Sequence, residues 1–123
     1  KNVVVCGYGH VGKGIARNAA GLGGNVIITE IDPIAALKAK LDGYSVLPMV
    51  TAAAVGDLFV TTTGCKDVIR EEHFLNMKDG SILANARNKK VEISVDALKS
   101  NSKLVKQINE NTTEYELKKG NKV

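Results

Sequence analysis

The most constraining feature of this chain is a glycine pattern that directly follows its first apolar run. The run ends at Cys6, and Gly7, Gly9 and Gly12 then follow with the spacing Gly-x-Gly-x-x-Gly. The first glycine permits a tight turn, the second lets backbone amides approach phosphate, and the third lets a helix pack closely against a strand. Because apolar residues at helical spacing come next, the pattern predicts a strand, a phosphate-binding turn and a helix.

A second apolar run ends in an acidic residue, Glu30. An acid at the end of the second strand of such a unit accepts hydrogen bonds from ribose hydroxyls and repels a 2′-phosphate. The next residues, Ile31-Asp32-Pro33, include no arginine or lysine to receive that phosphate. The sequence therefore favours NAD over NADP, and it predicts Asp32 as the N-cap of the following helix.

A phosphate loop for nucleoside triphosphates is the nearest alternative in sequence. Residues 7–13 also satisfy Gly-x-x-x-x-Gly-Lys, but that loop requires a serine or threonine next, whose hydroxyl binds magnesium. Gly14 occupies this position and has no side-chain oxygen. The triphosphate interpretation is therefore disfavoured.

Polar residues also stand where two later strands are predicted to end. Thr61-Thr62-Thr63 closes one of these strands, and Asn85 closes another. Ligands of open parallel sheets lie outside the carboxyl ends of the strands, so these residues are candidates for the nicotinamide side. Local hydrogen bonds from the threonine hydroxyls to the backbone explain the same residues equally well. Both interpretations stay open at this stage.

Short strands that alternate with helices predict the α/β class: a Rossmann-type, doubly wound, mostly parallel sheet with helices on both faces, in three layers. Helix two is predicted to bury Ile34, Leu37 and Leu41. The predicted strands cover residues 3–6, 25–30, 44–47, 58–61 and 81–85, with weak strands at 104–108 and 114–117. The predicted helices cover residues 11–20, a segment beginning at 32–33, and residues 51–55, 70–76 and 95–100.

Length and composition indicate one domain over residues 1–123, whose last part, 104–123, is a basic tail with weak strands. The net charge of +4 is modest and aromatic residues are few, so no nucleic-acid partner is predicted. No apolar stretch is long enough for a membrane partner. Two lone cysteines indicate a cytoplasmic location. His10 and His73 have no further metal-ligating residues at the spacing that a metal site requires, so no metal site is predicted. Both ends of the chain suggest a piece of something longer.

The chain resembles the NAD-binding domain of S-adenosylhomocysteine hydrolase (adenosylhomocysteinase) over roughly its first ninety-five residues. The resemblance implies that tightly held NAD takes a hydride from the adenosine ribose, which permits loss of homocysteine, addition of water and return of the hydride. The net reaction is the reversible hydrolysis of S-adenosylhomocysteine to adenosine and homocysteine. The motifs are Gly7-Tyr-Gly-His-Val-Gly-Lys-Gly14, Val26-Ile-Ile-Thr-Glu-Ile-Asp-Pro33, Asp42-Gly-Tyr44, Phe59-Val-Thr-Thr-Thr-Gly-Cys65, His73-Phe74, Met77-Lys-Asp-Gly80 and Val91-Glu-Ile93.

Three positions depart from the family pattern. Arg87 and Asn88 replace a glycine and a histidine that border the nicotinamide and the substrate, and Ala35 stands where an asparagine is common. The family's substrate domain, with its catalytic residues, is not part of this sequence. We therefore predict no catalytic residue here, and binding of NAD without turnover by this chain alone.

The resemblance and the residue patterns together predict a cofactor site. Backbone amides of the glycine turn would hold the pyrophosphate, Glu30 the adenosine ribose, and Ile31 would lie beside the adenine. The predicted cofactor-binding residues are Gly7, Gly9, His10, Val11, Gly12, Glu30, Ile31, Thr62, Thr63 and Asn85. The predicted partners are NAD, the substrate domain of a parent enzyme and further copies of this chain. The alternative is a nucleotide-sensing regulatory module of the ion-channel type, which shares this fold and length.

Overall fold

The computed structural model describes residues 1–62, 69, 71–85, 102–109 and 112–117. Its strands are β1 (Asn2–Cys6), β2 (Asn25–Thr29), β3 (Ser45–Val46), β4 (Leu58–Thr61), β5 (Ile82–Asn85), β6 (Ser102–Asn109) and β7 (Thr112–Leu117). Its helices are α1 (His10–Gly21), α2 (Pro33–Leu41), α3 (Met49–Val55) and α4 (Glu71–Phe74). The helix predicted at 95–100 lies outside the described residues.

Five strands form one parallel sheet in the order β3-β2-β1-β4-β5. In the central register, Val4 of β1 lies between Ile27 of β2 and Phe59 of β4. The chain therefore moves outward from β1 in one direction to β2 and β3, and returns to add β4 and β5 on the other side. This reversal opens a crevice at the carboxyl end of β1, where ligands of doubly wound sheets bind.

Apolar side chains of β1 alternate between two hydrophobic clusters. Val4 packs in the cluster that includes Ala52 of α3, whereas Val5 packs in the cluster that includes Ala16 of α1 and Ala39 of α2. Because neighbouring strand residues point to opposite faces, helices cover both faces of the sheet. The described residues thus confirm the predicted α/β fold with its three layers.

Helix α2 packs differently from the prediction. Ile34, Leu37 and Leu41 are 67%, 58% and 77% exposed, so the prediction that they form the buried face was wrong. The helix instead turns Ala39, which is fully buried, and Ala35 toward the sheet. Alanines four residues apart allow the helix axis to lie close to the strands, and this close approach leaves the larger side chains facing outward.

The start of α2 follows the capping chemistry that the sequence predicted. The Asp32 carboxylate accepts a hydrogen bond of 3.1 Å from the amide of Ile34, and Pro33 occupies the first turn. Proline costs the helix little there because its missing amide would have no helical acceptor. This cap, two residues beyond Glu30, sets where α2 begins.

Strands β6 and β7 form an antiparallel hairpin in which Val105 lies opposite Tyr115. The two weak strands predicted at 104–108 and 114–117 are therefore confirmed as strands. Both are longer than the sequence indicated, because pairing continues across positions whose polar side chains weaken the strand signal.

A polar cluster joins the amino ends of β1 and β4. The Asp57 carboxylate accepts hydrogen bonds from the amide of Asn2 at 2.8 Å and from Nζ of Lys78 at 3.2 Å. The Asn2 amide, followed by the Lys78 ammonium group, lowers the pKa of Asp57. The cluster lies at the edge of the sheet opposite the crevice.

We expect the Asp57 cluster to make stability depend on acid pH. A carboxyl group whose pKa is lower in the folded state stabilises the fold above its unfolded pKa of about 4, and this stabilisation is lost as pH falls through the folded value. The melting temperature of the unsubstituted chain should exceed that of Asp57→Asn at pH 7, and the difference should shrink at pH 2–3. A difference that does not change with pH would contradict this expectation.

Candidate functional site

The three glycines of the turn after β1 meet different surroundings. Gly7 has a φ of 110°, which side-chain-bearing residues rarely adopt, and its amide donates to the carbonyl of Thr29 at 2.8 Å. A Cβ on Gly12 would lie 2.1 Å from the carbonyl oxygen of Gly7, whereas a Cβ on Gly9 would meet no atom within 4 Å. The turn is therefore closed on its inner side and open above Gly9.

Helix α1 begins directly at this opening. Gly9 is its N-cap residue, and within the described part of the chain no side chain caps the helix. The first helical hydrogen bond runs from the amide of Lys13 to the carbonyl of Gly9, so the amides of His10, Val11 and Gly12 have no acceptor within the helix. These donors and the positive end of the helix dipole favour an anion such as phosphate.

The Glu30 carboxylate is held by three backbone amides. Oε2 accepts a hydrogen bond of 2.7 Å from the amide of Tyr8, and Oε1 accepts bonds of 3.0 Å from the amides of Ile31 and Asp32. A carboxylate offers about four acceptor positions, so capacity for a further donor is left. The acid predicted to bind ribose is thus already oriented by the glycine turn itself.

Ile31 follows Glu30 at the carboxyl end of β2 and is 93% exposed. An aliphatic side chain in this position offers an apolar surface next to the Glu30 carboxylate. This placement is compatible with the predicted contact to an adenine ring.

Thr62 packs against the glycine turn rather than into open space. Its hydroxyl lies 3.0 Å from the carbonyl oxygen of Cys6 and 3.3 Å from that of Gly7, and its side chain is buried. Its one hydroxyl proton is therefore donated to the backbone of the turn. The sequence left open whether the threonine hydroxyls bond to nearby backbone or to the cofactor. The Thr62 hydroxyl does bond to backbone, but to residues 55 and 56 positions away along the chain. A contact between Thr62 and the nicotinamide stays a prediction.

The remaining predicted residues on the nicotinamide side are only partly described. Asn85 is the last residue of β5 and pairs with Thr61 of β4, which places its backbone at the carboxyl edge of the sheet. Thr63 lies outside the described residues. So do Cys65 and the two positions that depart from the family pattern, Arg87 and Asn88.

The sequence did not identify Tyr8 and Asp42 as parts of this site. Tyr8 lies between Gly7 and Gly9, is only 5% exposed, and donates its phenol hydrogen to the carboxylate of Asp42. Its ring meets Tyr44 edge to face, with ring centroids 5.9 Å apart. Burial, followed by the hydrogen bond to Asp42, raises the pKa of Tyr8 well above its usual range. The family motif Asp42-Gly-Tyr44 was the sequence signal that included both Asp42 and Tyr44 of this cluster.

No helix among the described residues is long and apolar enough to span a membrane. Within the same residues, no group of three or more histidine, cysteine, aspartate or glutamate side chains is placed to hold a metal ion.

Three features together define a Rossmann-type dinucleotide-binding domain. They are a glycine turn at the point where the strand order reverses, a helix N-terminus without a side-chain cap, and an oriented acid after the second strand. Residues 1–123 match the family described as S-adenosyl-L-homocysteine hydrolase, NAD binding domain. The chain belongs to this family, whose cofactor is NAD.

Curated relatives agree with this membership. The chain is 59% identical over 122 residues to the S-inosyl-L-homocysteine hydrolase of Methanococcus maripaludis, covering 99% of this chain and 29% of that protein. It is 51% identical over 123 residues to the adenosylhomocysteinase of a Nostoc species, covering 100% of this chain and 29% of that protein. The chain thus spans less than a third of the length of these relatives.

Solved structures share the fold at lower identity. D-lactate dehydrogenase from Escherichia coli matches with a TM-score of 0.67 and 23% identity, over 81% of this chain and 32% of that one. A phosphoglycerate oxidoreductase from Vibrio cholerae matches with a TM-score of 0.70 and 19% identity, over 81% of this chain and 33% of that one. At these identities the likeness shows the Rossmann-type fold alone.

Proposed function

We propose that the amides of Gly9, His10 and Val11 bind the pyrophosphate of NAD and that Glu30 binds its adenosine ribose. The single observation that carries this proposal is the 2.7 Å hydrogen bond from the Tyr8 amide to the Glu30 carboxylate. It joins the ribose acceptor to the phosphate-binding turn, so both contacts are oriented before a ligand binds. The open space above Gly9 supports the same placement, because a pyrophosphate needs the room that a side chain would occupy.

The two ends of the dinucleotide follow from this placement. Ile31 would cover one face of the adenine with its exposed side chain. The nicotinamide would lie toward the carboxyl ends of β4 and β5, near Thr62, Thr63 and Asn85. The buried Thr62 hydroxyl supports the closed shape of the turn in addition to any contact with the cofactor.

We further propose that the chain serves as the NAD-holding part of a hydrolase like its relatives. When bound, NAD supplies a transient hydride acceptor. The chain's own contribution is to bind and orient it, and we assign no general acid or base to this chain. This chain alone is therefore expected to bind NAD without turnover. Membership of the family favours this role over the regulatory nucleotide-sensing module. A cytoplasmic location and assembly into homo-oligomers are further proposals.

Thermal unfolding with and without nucleotide tests the proposed site. At a free NAD concentration of one hundred times Kd, binding stabilises the folded chain by about 2.7 kcal/mol, which corresponds to a rise in Tm of roughly 10 °C. NADP should produce a much smaller rise, because the Glu30 carboxylate repels the 2′-phosphate. Equal rises with both nucleotides would refute the role of Glu30. No rise with NAD, together with no heat in calorimetry, would refute the site.

Gel filtration separates the binding domain from a sensing module. An enzyme domain should keep one elution volume with and without saturating NAD, since binding only orients the cofactor. A change in assembly state that follows nucleotide concentration would favour the sensing function instead.

A further inference from the structure

We infer that Tyr8 is a positioning residue for the NAD site, which ties the phosphate-binding turn to the end of helix α2 through its bond to Asp42. The inference rests on the proposed function, since it concerns the same turn. It goes beyond the proposed function by assigning a role to a residue whose side chain is buried in a hydrophobic cluster.

Tyr8 connects three segments of the chain. Its amide donates to Glu30 after β2, its phenol donates to Asp42 after α2, and its ring packs edge to face on Tyr44 before β3. Within residues 7–9, Tyr8 is the one residue that carries a side chain, because its two neighbours are glycines. The phenol ring is therefore the turn's own side-chain anchor, and it adds to the hydrogen bonds that Glu30 and Thr62 make with the backbone of the turn.

The turn needs such an anchor because glycines flank Tyr8 on both sides. Glycine has more backbone freedom to lose than any other residue, so a turn built of glycines alone is costly to order. Fixing the turn before binding removes that cost from the binding step and raises affinity without adding a contact to the ligand. The Tyr8–Asp42 hydrogen bond supplies this restraint from behind the turn.

The ion pair beside this bond restrains the turn less than the Tyr8–Asp42 hydrogen bond does. Nζ of Lys13 lies 4.0 Å from the Asp42 carboxylate, and both side chains are about half exposed. Exposed pairs of this kind contribute little because water and salt screen them. The phenol of Tyr8 is instead buried, and hydrogen bonds to a charged acceptor are stronger than neutral ones.

The protonation state of Tyr8 suits this role. Burial raises the pKa of its phenol, and so do Asp42 and Tyr44, whereas Arg17 opposes them weakly. Tyr8 therefore remains a hydrogen-bond donor at neutral and moderately alkaline pH.

The Tyr8→Phe substitution keeps the ring and removes only the hydroxyl, and Asp42→Ala removes the acceptor. Each should raise the Kd for NAD about tenfold, the change expected when one charge-assisted hydrogen bond is lost. The double variant should be no weaker than either single variant, because both remove the same bond. Isothermal titration calorimetry at 25 °C, on variants that circular dichroism shows to be folded, measures these constants.

A matched control separates positioning from general destabilisation. Asp57→Asn weakens the polar cluster at the opposite edge of the sheet, so it should lower Tm at pH 7 without changing the Kd for NAD. A second readout is the alkaline titration of tyrosine absorbance. In Asp42→Ala the pKa of Tyr8 should fall, because the Asp42 carboxylate raises it in the unsubstituted chain.

The outcomes distinguish this inference from the proposed function. Failure of the unsubstituted chain to bind NAD would overturn both. Binding by the unsubstituted chain, with an unchanged Kd in Tyr8→Phe and Asp42→Ala, would overturn the positioning role alone. So would additive effects in the double variant, or an equal loss of affinity in Asp57→Asn.

Discussion

The Gly12→Ala substitution is expected to destabilise this chain by about 4 kcal/mol or more, a large share of the 5–15 kcal/mol that a domain of this kind possesses. The added Cβ would lie 2.1 Å from the carbonyl oxygen of Gly7 and 2.9 Å from Oγ1 of Thr62. The first of these atoms belongs to the backbone of a turn that is bonded to Thr29, so it cannot rotate away as a side chain would. Relief requires α1 to move away from β1. Urea unfolding followed by circular dichroism measures the loss.

Two other glycines provide matched controls for Gly12. A Cβ on Gly14 would meet no atom within 4 Å, and this residue lies inside α1, so Gly14→Ala should stabilise the chain by about 0.5–1 kcal/mol. Gly9→Ala should fold, because its Cβ also has open space, yet it should lose NAD binding because that space is where the pyrophosphate is proposed to lie. A stable, NAD-binding Gly12→Ala variant would contradict the close packing of α1 on the turn.

The second large effect is expected at Glu30. The Glu30→Gln substitution should weaken NAD binding by roughly ten- to one hundredfold, since a charge-assisted bond to a ribose hydroxyl is replaced by a weaker one. It also replaces one of the two oxygens that accept from the backbone amides of Tyr8, Ile31 and Asp32 by a donor, which loosens the turn. The preference for NAD over NADP should shrink at the same time, because the charge that repels the 2′-phosphate is gone. Calorimetric titration with each nucleotide gives both quantities.

A neighbouring acid controls for the general effect of charge. Asp32→Asn removes one negative charge two residues away but preserves the helix cap, because asparagine caps as well as aspartate. Its affinity for NAD should stay within about twofold of the unsubstituted chain, in keeping with a screened, exposed charge. If Glu30→Gln binds NAD as well as Asp32→Asn does, the acid is a structural link between loops and not a ribose ligand.

Sequence alone was sufficient for the α/β class, the order of the strands along the chain, the tight turn at Gly7 and the close packing at Gly12. These features depend on local rules: apolar periodicity, the positive φ that only glycine adopts at low cost, and capping by Asp32 next to Pro33. Each rule acts within a few residues. It can therefore be recognised in the sequence without knowing which other segments pack against that part of the chain.

Which face α2 buries, and what the side chains around the turn contact, were decided only by tertiary structure. The leucines of α2 gave a stronger apolar signal than its alanines. The alanines nevertheless face the sheet, because their small side chains let the helix pack closely against the strands. Likewise, Tyr8 meets Asp42 across 34 positions, and Thr62 meets the carbonyl of Cys6 across 56. Contacts between residues so far apart in sequence arise from how helices and strands pack in space. The spacing of residues along the chain does not predict that packing.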